Sequence, residues 1–204
     1  MERFYERYWE GETGHLSDFN LKWPLLVPFI PKKGDEAILD FGCGSGSIIA
    51  EMKKVNARAH YIGLDVSETA LAEARKKVPG ADFLRIDDGG AFPVPDGAVD
   101  FAFTSEVIEH VYDTENAVRE IARVMKPGAR LLLTTPYHGF LKNLAIVLLG
   151  FDRHFDPVGP HVRFFSKKTL IALLARHRIF PVKIFHYGRF YPFPHSIVVL
   201  AEKR

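Results

Sequence analysis

The chain of 204 residues has a single cysteine, Cys43, which excludes an internal disulfide. No apolar run approaches the ~20 residues that a transmembrane helix needs. The opening residues 1–5 are too charged and too aromatic for a signal peptide. Internal repeats, low-complexity tracts and signs of a second domain are also missing. We therefore expect a single domain, 1–204, located in the cytoplasm.

The net charge is only +2, but the charged residues are unevenly distributed along the chain. Residues 126–204 hold 13 Lys and Arg against 3 Asp and Glu, whereas residues 1–125 hold 14 against 22. Such asymmetry indicates an anionic partner near the C-terminal part. The alternative is that the cations only keep exposed helices hydrated.

Strand and helix patterns alternate from residue 36 onward, which is typical of a parallel sheet covered by helices. Residues 1–34 are rich in aromatics and are predicted to form an N-terminal helical cap, and residues 136–165 interrupt the alternation as an insertion. Strands are predicted at 36–40, 59–64, 82–86, 98–104 and 130–134, helices at 46–55, 68–77, 114–125 and 167–176, and a closing antiparallel hairpin at 179–186 and 195–201.

The run Asp40-Phe41-Gly42-Cys43-Gly44-Ser45-Gly46 is predicted to join a buried strand to a helix through a tight loop. Glycines let the backbone approach a ligand, and the free N–H groups of a helix start favour polar groups there. The D-x-G-x-G-x-G spacing differs from the G-x-G-x-x-G of dehydrogenases, and an acid beside the loop favours an ammonium group over a pyrophosphate. Asp65, at the end of the second strand, can accept both hydroxyls of a ribose.

With these motifs in order, the chain resembles the class I S-adenosylmethionine-dependent methyltransferases over about residues 36–201. Asp40–Gly46 matches the family's first motif, which holds the methionine end of the cofactor, and Asp65 matches the ribose acid. Asp88 lies where family members contact the adenine amino group. The runs 99–107 and 124–133 match the fourth strand and the turn into the fifth.

The resemblance implies an α/β, Rossmann-like fold, with a seven-stranded, mostly parallel sheet, a C-terminal antiparallel hairpin and helices on both faces. It implies S-adenosylmethionine as cofactor and S-adenosylhomocysteine as product. The cofactor-binding residues that it implies are Asp40, Gly42, Cys43, Gly44, Gly46, Asp65, Val66, Asp87, Asp88, Gly89, Ser105 and Glu106.

A Glu-x-x-Glu-His motif, Glu106, Glu109 and His110, follows the predicted fourth strand. On a helix these residues would share one face, where two carboxylates and an imidazole can bind a divalent metal ion. The motif resembles that of ubiquinone-biosynthesis O-methyltransferases and of small-RNA 3′-terminal 2′-O-methyltransferases, in which the matching residues hold a metal that activates the accepting hydroxyl. The RNA enzymes add a later histidine, for which His161 is the candidate. Alternatively, the motif only shapes the turn below the cofactor.

The insertion is where the acceptor site is expected, because ligands of open α/β sheets lie at the carboxyl ends of the strands. His138 and Tyr137 follow the fifth strand directly and are, with His110, the candidates for a base or an orienting donor. The stretch 140–151 is apolar around most of its circumference. Packing onto its own domain is the favoured reading of this stretch, and a lid, an interfacial helix and a dimer contact are the alternatives.

We predict methyl transfer from S-adenosylmethionine to a small-molecule or lipid-like acceptor, at oxygen in preference to nitrogen or carbon, by a monomer or homodimer. RNA is the second acceptor class, supported by the basic C-terminal part but opposed by the apolar insertion and by the lack of an appended RNA-binding module. A catalytically silent cofactor-binding scaffold is a further alternative, and a nicotinamide oxidoreductase is disfavoured by the glycine spacing.

Overall fold

The structure is a computed structural model and describes residues 19–32, 34–155 and 159–204. Apart from the fifth strand, the observed bounds lie within two residues of the predicted ones. The strands are β1 (Ala37–Phe41), β2 (His60–Asp65), β3 (Asp82–Arg85), β4 (Val99–Ser105), β5 (Met125–Pro136), β6 (Ile179–Tyr187) and β7 (Ser196–Lys203). The helices are α1 (Phe19–Leu26), α2 (Ser47–Val55), α3 (Glu68–Lys77), α4 (Thr114–Val124), α5 (Phe140–Leu149), α6 (Phe151–His154) and α7 (Lys167–Arg176).

The seven strands form one sheet in the order β3-β2-β1-β4-β5-β7-β6. Strands β1 to β5 pair in parallel, whereas β7 runs antiparallel to β5 and β6 runs antiparallel to β7. The predicted fold class is therefore confirmed. The strand order reverses beside β1, and a ligand of such an open sheet binds outside the carboxyl ends of the strands at this point.

Two apolar layers cover the two faces of the sheet, because successive strand side chains point to opposite sides. On one face, Leu39 and Leu131 pack with residues of α4 and α7, such as Ile121 and Leu170. On the other face, Ile38 packs with residues of α1, α2 and α3. This two-sided burial explains why the central strands read as continuous apolar runs.

The fifth strand begins earlier than predicted, at Met125, which pairs with Val99. The register then shifts so that Phe101 pairs with Arg130, and the residues between them bulge out of the ladder. The bulge contains the Pro-Gly pair that predicted a turn, and Gly128 takes a φ of +79° there. A bulge accommodates these residues because one of them lacks an N–H donor and the other tolerates left-handed angles.

The helical face considered for the Glu-x-x-Glu-His motif does not form: residues 106–111 form a turn, which we call the acidic turn. Glu106 has a φ of +55°, in the left-handed region that interrupts a right-handed helix. The amides of His110 and Val111 then bond three residues back, at 2.9 and 3.4 Å, without continuing into α-helical bonding. The three side chains are therefore not constrained to one helical face.

The N-terminal cap is described only from Phe19, since residues 1–18 lie outside the described part of the chain. Leu26 of α1 and Ile30 are buried against the sheet, and the Phe29 ring lies 5.8 Å from that of Phe185 on the edge strand β6. None of the helices described here is long and apolar enough to cross a membrane.

Candidate active site

The glycine loop between β1 and α2 is held in a shape that only glycine permits at two positions. Gly42 has a φ of +77°, and a Cβ there would lie 2.4 Å from the Val107 side chain. Gly46 precedes α2 with a φ of +72° and provides no capping side chain, unlike Ser67 before α3. The helix N-terminus is therefore open to a ligand at the carboxyl end of β1.

Asp65 joins this loop to the end of β2. Its Oδ2 accepts from the Gly44 amide at 2.8 Å, and its Oδ1 accepts from the Ser67 amide at 3.0 Å. Each carboxylate oxygen has a second lone pair, so Asp65 can hold the loop and still accept a ligand hydroxyl.

Asp40 is an acid kept out of water at the loop's other end. It is 2% exposed, and its Oδ2 is a buried atom without a hydrogen-bond partner among the described residues. Burial, with the Asp65 charge added, raises the pKa of Asp40 to about 8. Lys22 of α1, itself 2% exposed, opposes that shift with its positive charge. An unsatisfied buried carboxylate is costly, and a cationic hydrogen-bond donor would relieve that cost.

Asp40, Lys22 and most of the glycine loop line a pocket with roughly 420 Å³ of empty space, which continues into open solvent, whereas Asp65 and Gly46 lie outside its lining. The pocket opens at the carboxyl ends of β1 and β4, where the topology predicts a ligand site. Its lining residues are Lys22, Asp40, Gly42, Cys43, Gly44, Ser45, Ser47, Ile48, Phe103 and Ser105.

The acidic turn places Glu109, His110 and the insertion residue His161 together, with one ligand atom of each within 4.8 Å of the others. Glu109 is 1% exposed, and its Oε2 accepts from Thr135 at 2.9 Å while Oε1 has no hydrogen-bond partner in the part of the chain that the structure describes. His110 Nδ1 donates to the Pro160 carbonyl at 3.0 Å, which leaves Nε2 as an acceptor 3.7 Å from Glu109 Oε1. An imidazole oriented by a carbonyl is the usual arrangement of a metal-binding histidine.

Burial, more than the neighbouring charges, favours the neutral forms of the two imidazoles and of the Glu109 carboxyl in this cluster. Burial, then the charge of Glu106, raises the pKa of Glu109. Burial lowers the pKa of His110. Burial, with the charge of His110 added, lowers the pKa of His161 to about 4. The Val107 side chain of the acidic turn lies against Gly42, which lines the pocket, so the cluster lies beside the pocket.

Glu106, in contrast, turns toward the antiparallel side of the sheet. Its carboxylate accepts from Thr134 at 2.8 Å, from Ser196 at 3.2 Å and from Tyr187 at 3.5 Å. It is not in the cluster with Glu109 and does not line the pocket. The structure thus separates the two carboxylates of the motif.

His138 belongs to the insertion and lies between β5 and α5. Its side chain is buried, with 4% exposed. Its Nδ1 donates to Asn143 Oδ1 of α5 at 2.9 Å, so the lone pair is on Nε2. Burial lowers the pKa of His138 to about 4, and its ring contacts those of His154 and Phe164. Tyr137 points elsewhere, with its ring 4.8 Å from that of His186 on β6.

A family model described as a methyltransferase domain matches residues 39–133. A Mycolicibacterium smegmatis protein named as a probable S-adenosylmethionine-dependent methyltransferase is 35% identical over 140 residues, which is 67% of this chain and 49% of that protein. The 27-O-demethylrifamycin SV methyltransferase of Amycolatopsis mediterranei is 28% identical over 141 residues, 65% of this chain and 50% of that protein.

Among solved structures, the Haloferax volcanii protein in complex with the Trm112 methyltransferase activator has the same fold, with a TM-score of 0.77. The identity is 14%, over 97% of this chain and 96% of that one. This chain belongs to the class I S-adenosylmethionine-dependent methyltransferases. It spans about half the length, or less, of the curated relatives that it matches.

The pocket of this methyltransferase fits the cofactor that the family implies. S-adenosylmethionine has an ammonium group, for which the unpartnered Asp40 Oδ2 is an acceptor, and a carboxylate, for which Lys22 is a cationic partner. The open N-terminus of α2 and the Cβ-free loop allow the backbone to approach it. The donor and acceptor set is therefore complementary to an amino-acid end.

The other cofactor residues implied by the resemblance are not all in the pocket lining. Val66 is half-buried beside Asp65, and Ser105 Oγ lines the pocket, 2.9 Å from Thr134 Oγ1. Asp87, Asp88 and Gly89 are exposed in the loop after β3, outside the lining. Asn116 of α4 fixes that loop by donating to the Gly89 carbonyl at 2.7 Å.

Sequence reasoning missed two polar residues of the site. Lys22 had a signal, because it is the sole charged residue in the apolar and aromatic stretch 19–30. Asn143 had none, because its contact with His138 depends on how α5 folds back after β5. The expected packing of 140–151 onto its own domain is made only by half-buried residues of α5, Lys142, Asn143, Ala145 and Ile146, and no residue of this helix is fully buried.

Proposed function

We propose that this methyltransferase transfers a methyl group from S-adenosylmethionine to a hydroxyl oxygen of a small-molecule or lipid-like acceptor. The observation that carries the choice of oxygen is the cluster of Glu109, His110 and His161 beside the cofactor pocket. Bound S-adenosylmethionine supplies a methyl group already activated by a sulfonium, so a base is needed only when the acceptor is a protonated group. The acceptor side of this chain provides candidate bases of this kind.

On the cofactor side, the proposed roles follow from charge. Asp40 holds the ammonium group, Lys22 the carboxylate and Asp65 the ribose hydroxyls, while Asp88 accepts from the adenine amino group. Asp40 and Lys22 are both buried, so these contacts are made at low dielectric and are strong. Their task is to orient the cofactor and exclude water.

On the acceptor side, we propose that Glu109, His110 and His161 hold a divalent metal ion. Two neutral imidazoles and one carboxylate suit Zn²⁺ and related ions, and Glu109 Oε1, buried without a hydrogen-bond partner among the described residues, is the carboxylate atom that would bind the ion. A bound divalent ion lowers the pKa of a coordinated hydroxyl. Glu106, which is engaged with Thr134 and Ser196, would support the turn instead of binding the ion.

His138 is the proposed proton acceptor of the acceptor site, because it is neutral and its Nε2 carries the lone pair. Asn143 fixes this tautomer from α5. Tyr137, which faces β6, is proposed to orient the chain at the end of β5 and not to take the proton.

RNA is the second acceptor class, and the observation that favours it is the basic C-terminal part. The exposed apolar side chains of α5 argue against it, because a nucleic-acid groove presents cations and polar groups. A catalytically silent scaffold would keep the cofactor pocket and lack turnover.

The test combines binding and turnover. S-adenosylhomocysteine is titrated calorimetrically with and without Zn²⁺ or Mg²⁺, and mass spectrometry then follows methylation of matched alcohol, amine and RNA acceptors. We expect cofactor-product binding, methylated alcohols and metal stimulation that is lost in Glu109→Gln but kept in the exposed-site control Glu115→Gln. Binding with no turnover on any acceptor would favour the scaffold, and methylated RNA would favour the second acceptor class.

A further inference from the structure

Helix α5 is attached to the domain by its polar side and presents its apolar side to solvent. Lys142 and Asn143 face inward: Lys142 donates to the carbonyls of Pro194 and His195 at 3.0 and 3.2 Å, and Asn143 accepts from His138. This is the reverse of an ordinary surface helix, whose apolar stripe faces the core.

The outward side forms one apolar stripe, because its residues recur at helical spacing. Seven of the fourteen large hydrophobic side chains that are exposed in the described part of the chain lie within 140–151. These seven are Phe140, Leu141, Leu144, Val147, Leu148, Leu149 and Phe151, which we call the apolar face.

A second exposed apolar element, which we call the Phe190–Tyr191 tip, lies beside the apolar face. Phe190 and Tyr191, in the turn between β6 and β7, are about three-quarters exposed. That turn is adjacent to α5 because Lys142 bonds to its carbonyls and because Ser196 pairs with Pro136 at the end of β5. Both apolar elements therefore lie at the carboxyl end of β5, next to His138.

Cations border this surface. Arg189 is exposed beside Phe190 and close enough to Lys142 to lower the pKa of that amine, after the larger effect of burial. Lys167 similarly acts on His186, whose ring is 6.4 Å from that of Tyr191. The sequence from 126 to 151 contains no acidic residue, and one exposed acid, Asp152, follows Phe151.

We propose that the apolar face and the Phe190–Tyr191 tip dock this protein on the surface of an anionic lipid bilayer. A ten-residue helix is too short to span the bilayer, but it can lie in the interface with its apolar side among the acyl chains. The bordering cations then meet anionic headgroups. A second copy of the chain fits less well, because its own stretch 126–151 would bring no acidic residue to the exposed Arg189.

Docking stands apart from the proposed methyl transfer, although it would bring a lipid-like acceptor to the edge of the sheet that holds His138. The two proposals can fail separately: S-adenosylhomocysteine binding reports the cofactor pocket, and vesicle binding reports the docking surface.

The test is co-sedimentation of the full chain with vesicles of phosphatidylcholine alone or mixed with phosphatidylglycerol, at low and high salt. We expect binding to the mixed vesicles that weakens with salt and falls about tenfold or more in Leu148→Asp, because one buried leucine side chain contributes that much. Val182→Asp is the matched control, since Val182 is an exposed apolar residue on β6. It should bind as the unaltered chain does.

Phe140→Ser is a second variant, and unchanged S-adenosylhomocysteine affinity shows that each variant is folded. The proposal is overturned if the unaltered chain does not sediment with the mixed vesicles, or if both α5 variants sediment as it does. It is also overturned if sedimentation velocity shows a dimer that Leu148→Asp dissociates while vesicles bind nothing, because the face then belongs to a second copy.

Discussion

Replacing Asp40 with asparagine should make the free protein more stable and the cofactor complex weaker. The substitution keeps the shape of the side chain and removes a charge that burial disfavours. The pKa of Asp40 is raised from 3.8 to about 8, with burial as the main cause. Burying the ionised form of Asp40 therefore lowers the stability of the ligand-free protein, but the same charge favours binding of a cationic ligand.

The direction in which stability changes with pH follows from proton binding by Asp40. Between about pH 4 and pH 8 the folded chain keeps the Asp40 proton and the unfolded chain has lost it, so stability falls as pH rises through this window. At ~1.4 kcal/mol per pKa unit, the cost is roughly 4 kcal/mol at pH 7 and levels off near 6 kcal/mol above pH 8. The pocket is open to water and the asparagine amide also needs partners, so we expect a measured gain of about 1–3 kcal/mol at pH 8.

The assay is urea unfolding of the ligand-free chain from pH 5 to pH 9, together with calorimetry of S-adenosylhomocysteine. The variant should show a flatter pH dependence and an affinity ten- to a hundredfold weaker, which is about 1.4–2.8 kcal/mol. Near pH 7 the unaltered chain should release a proton on binding, visible as a heat that depends on the buffer. Asp35→Asn, at an exposed site, is the control. A variant that is less stable and binds equally well would refute this reasoning.

Three further outcomes are expected. Gly42→Ala should lower the free energy of unfolding by more than about 1 kcal/mol in urea titrations, because its Cβ would lie 2.4 Å from Val107; equal stability would contradict the loop geometry. Glu109→Gln should weaken Zn²⁺ binding measured with a chromophoric chelator about tenfold or more, since a neutral amide replaces the charged ligand; unchanged affinity would place the ion elsewhere. His138→Gln should lower kcat about a hundredfold with an alcohol acceptor while leaving the S-adenosylhomocysteine affinity unchanged; full activity would remove His138 from catalysis.

Much of the fold could be predicted from the sequence because its signals are local. The period of the apolar residues, the Pro-Gly and Asp-Gly turns and the capping residues Ser67 and Asp113 each act within a few residues of chain. The glycine loop and Asp65 were also predictable, since backbone angles and a strand-end acid leave a pattern at fixed spacing. The helical face considered for the acidic motif does not form at Glu106, which has a left-handed conformation and bonds to partners on β5 and β7 that are far away in sequence.

The sequence by itself determined the order of the elements, the cofactor half of the site and the residue types available on the acceptor side. Only the tertiary structure decided which of those residues meet. It brings His161 to Glu109 and His110, separates Glu106 from them, buries Lys22 beside Asp40 and turns the apolar side of α5 outward. The physical reason is that these contacts join residues 18 to 90 positions apart, so they depend on the packing of the sheet and its insertion and leave no periodic signal in the chain.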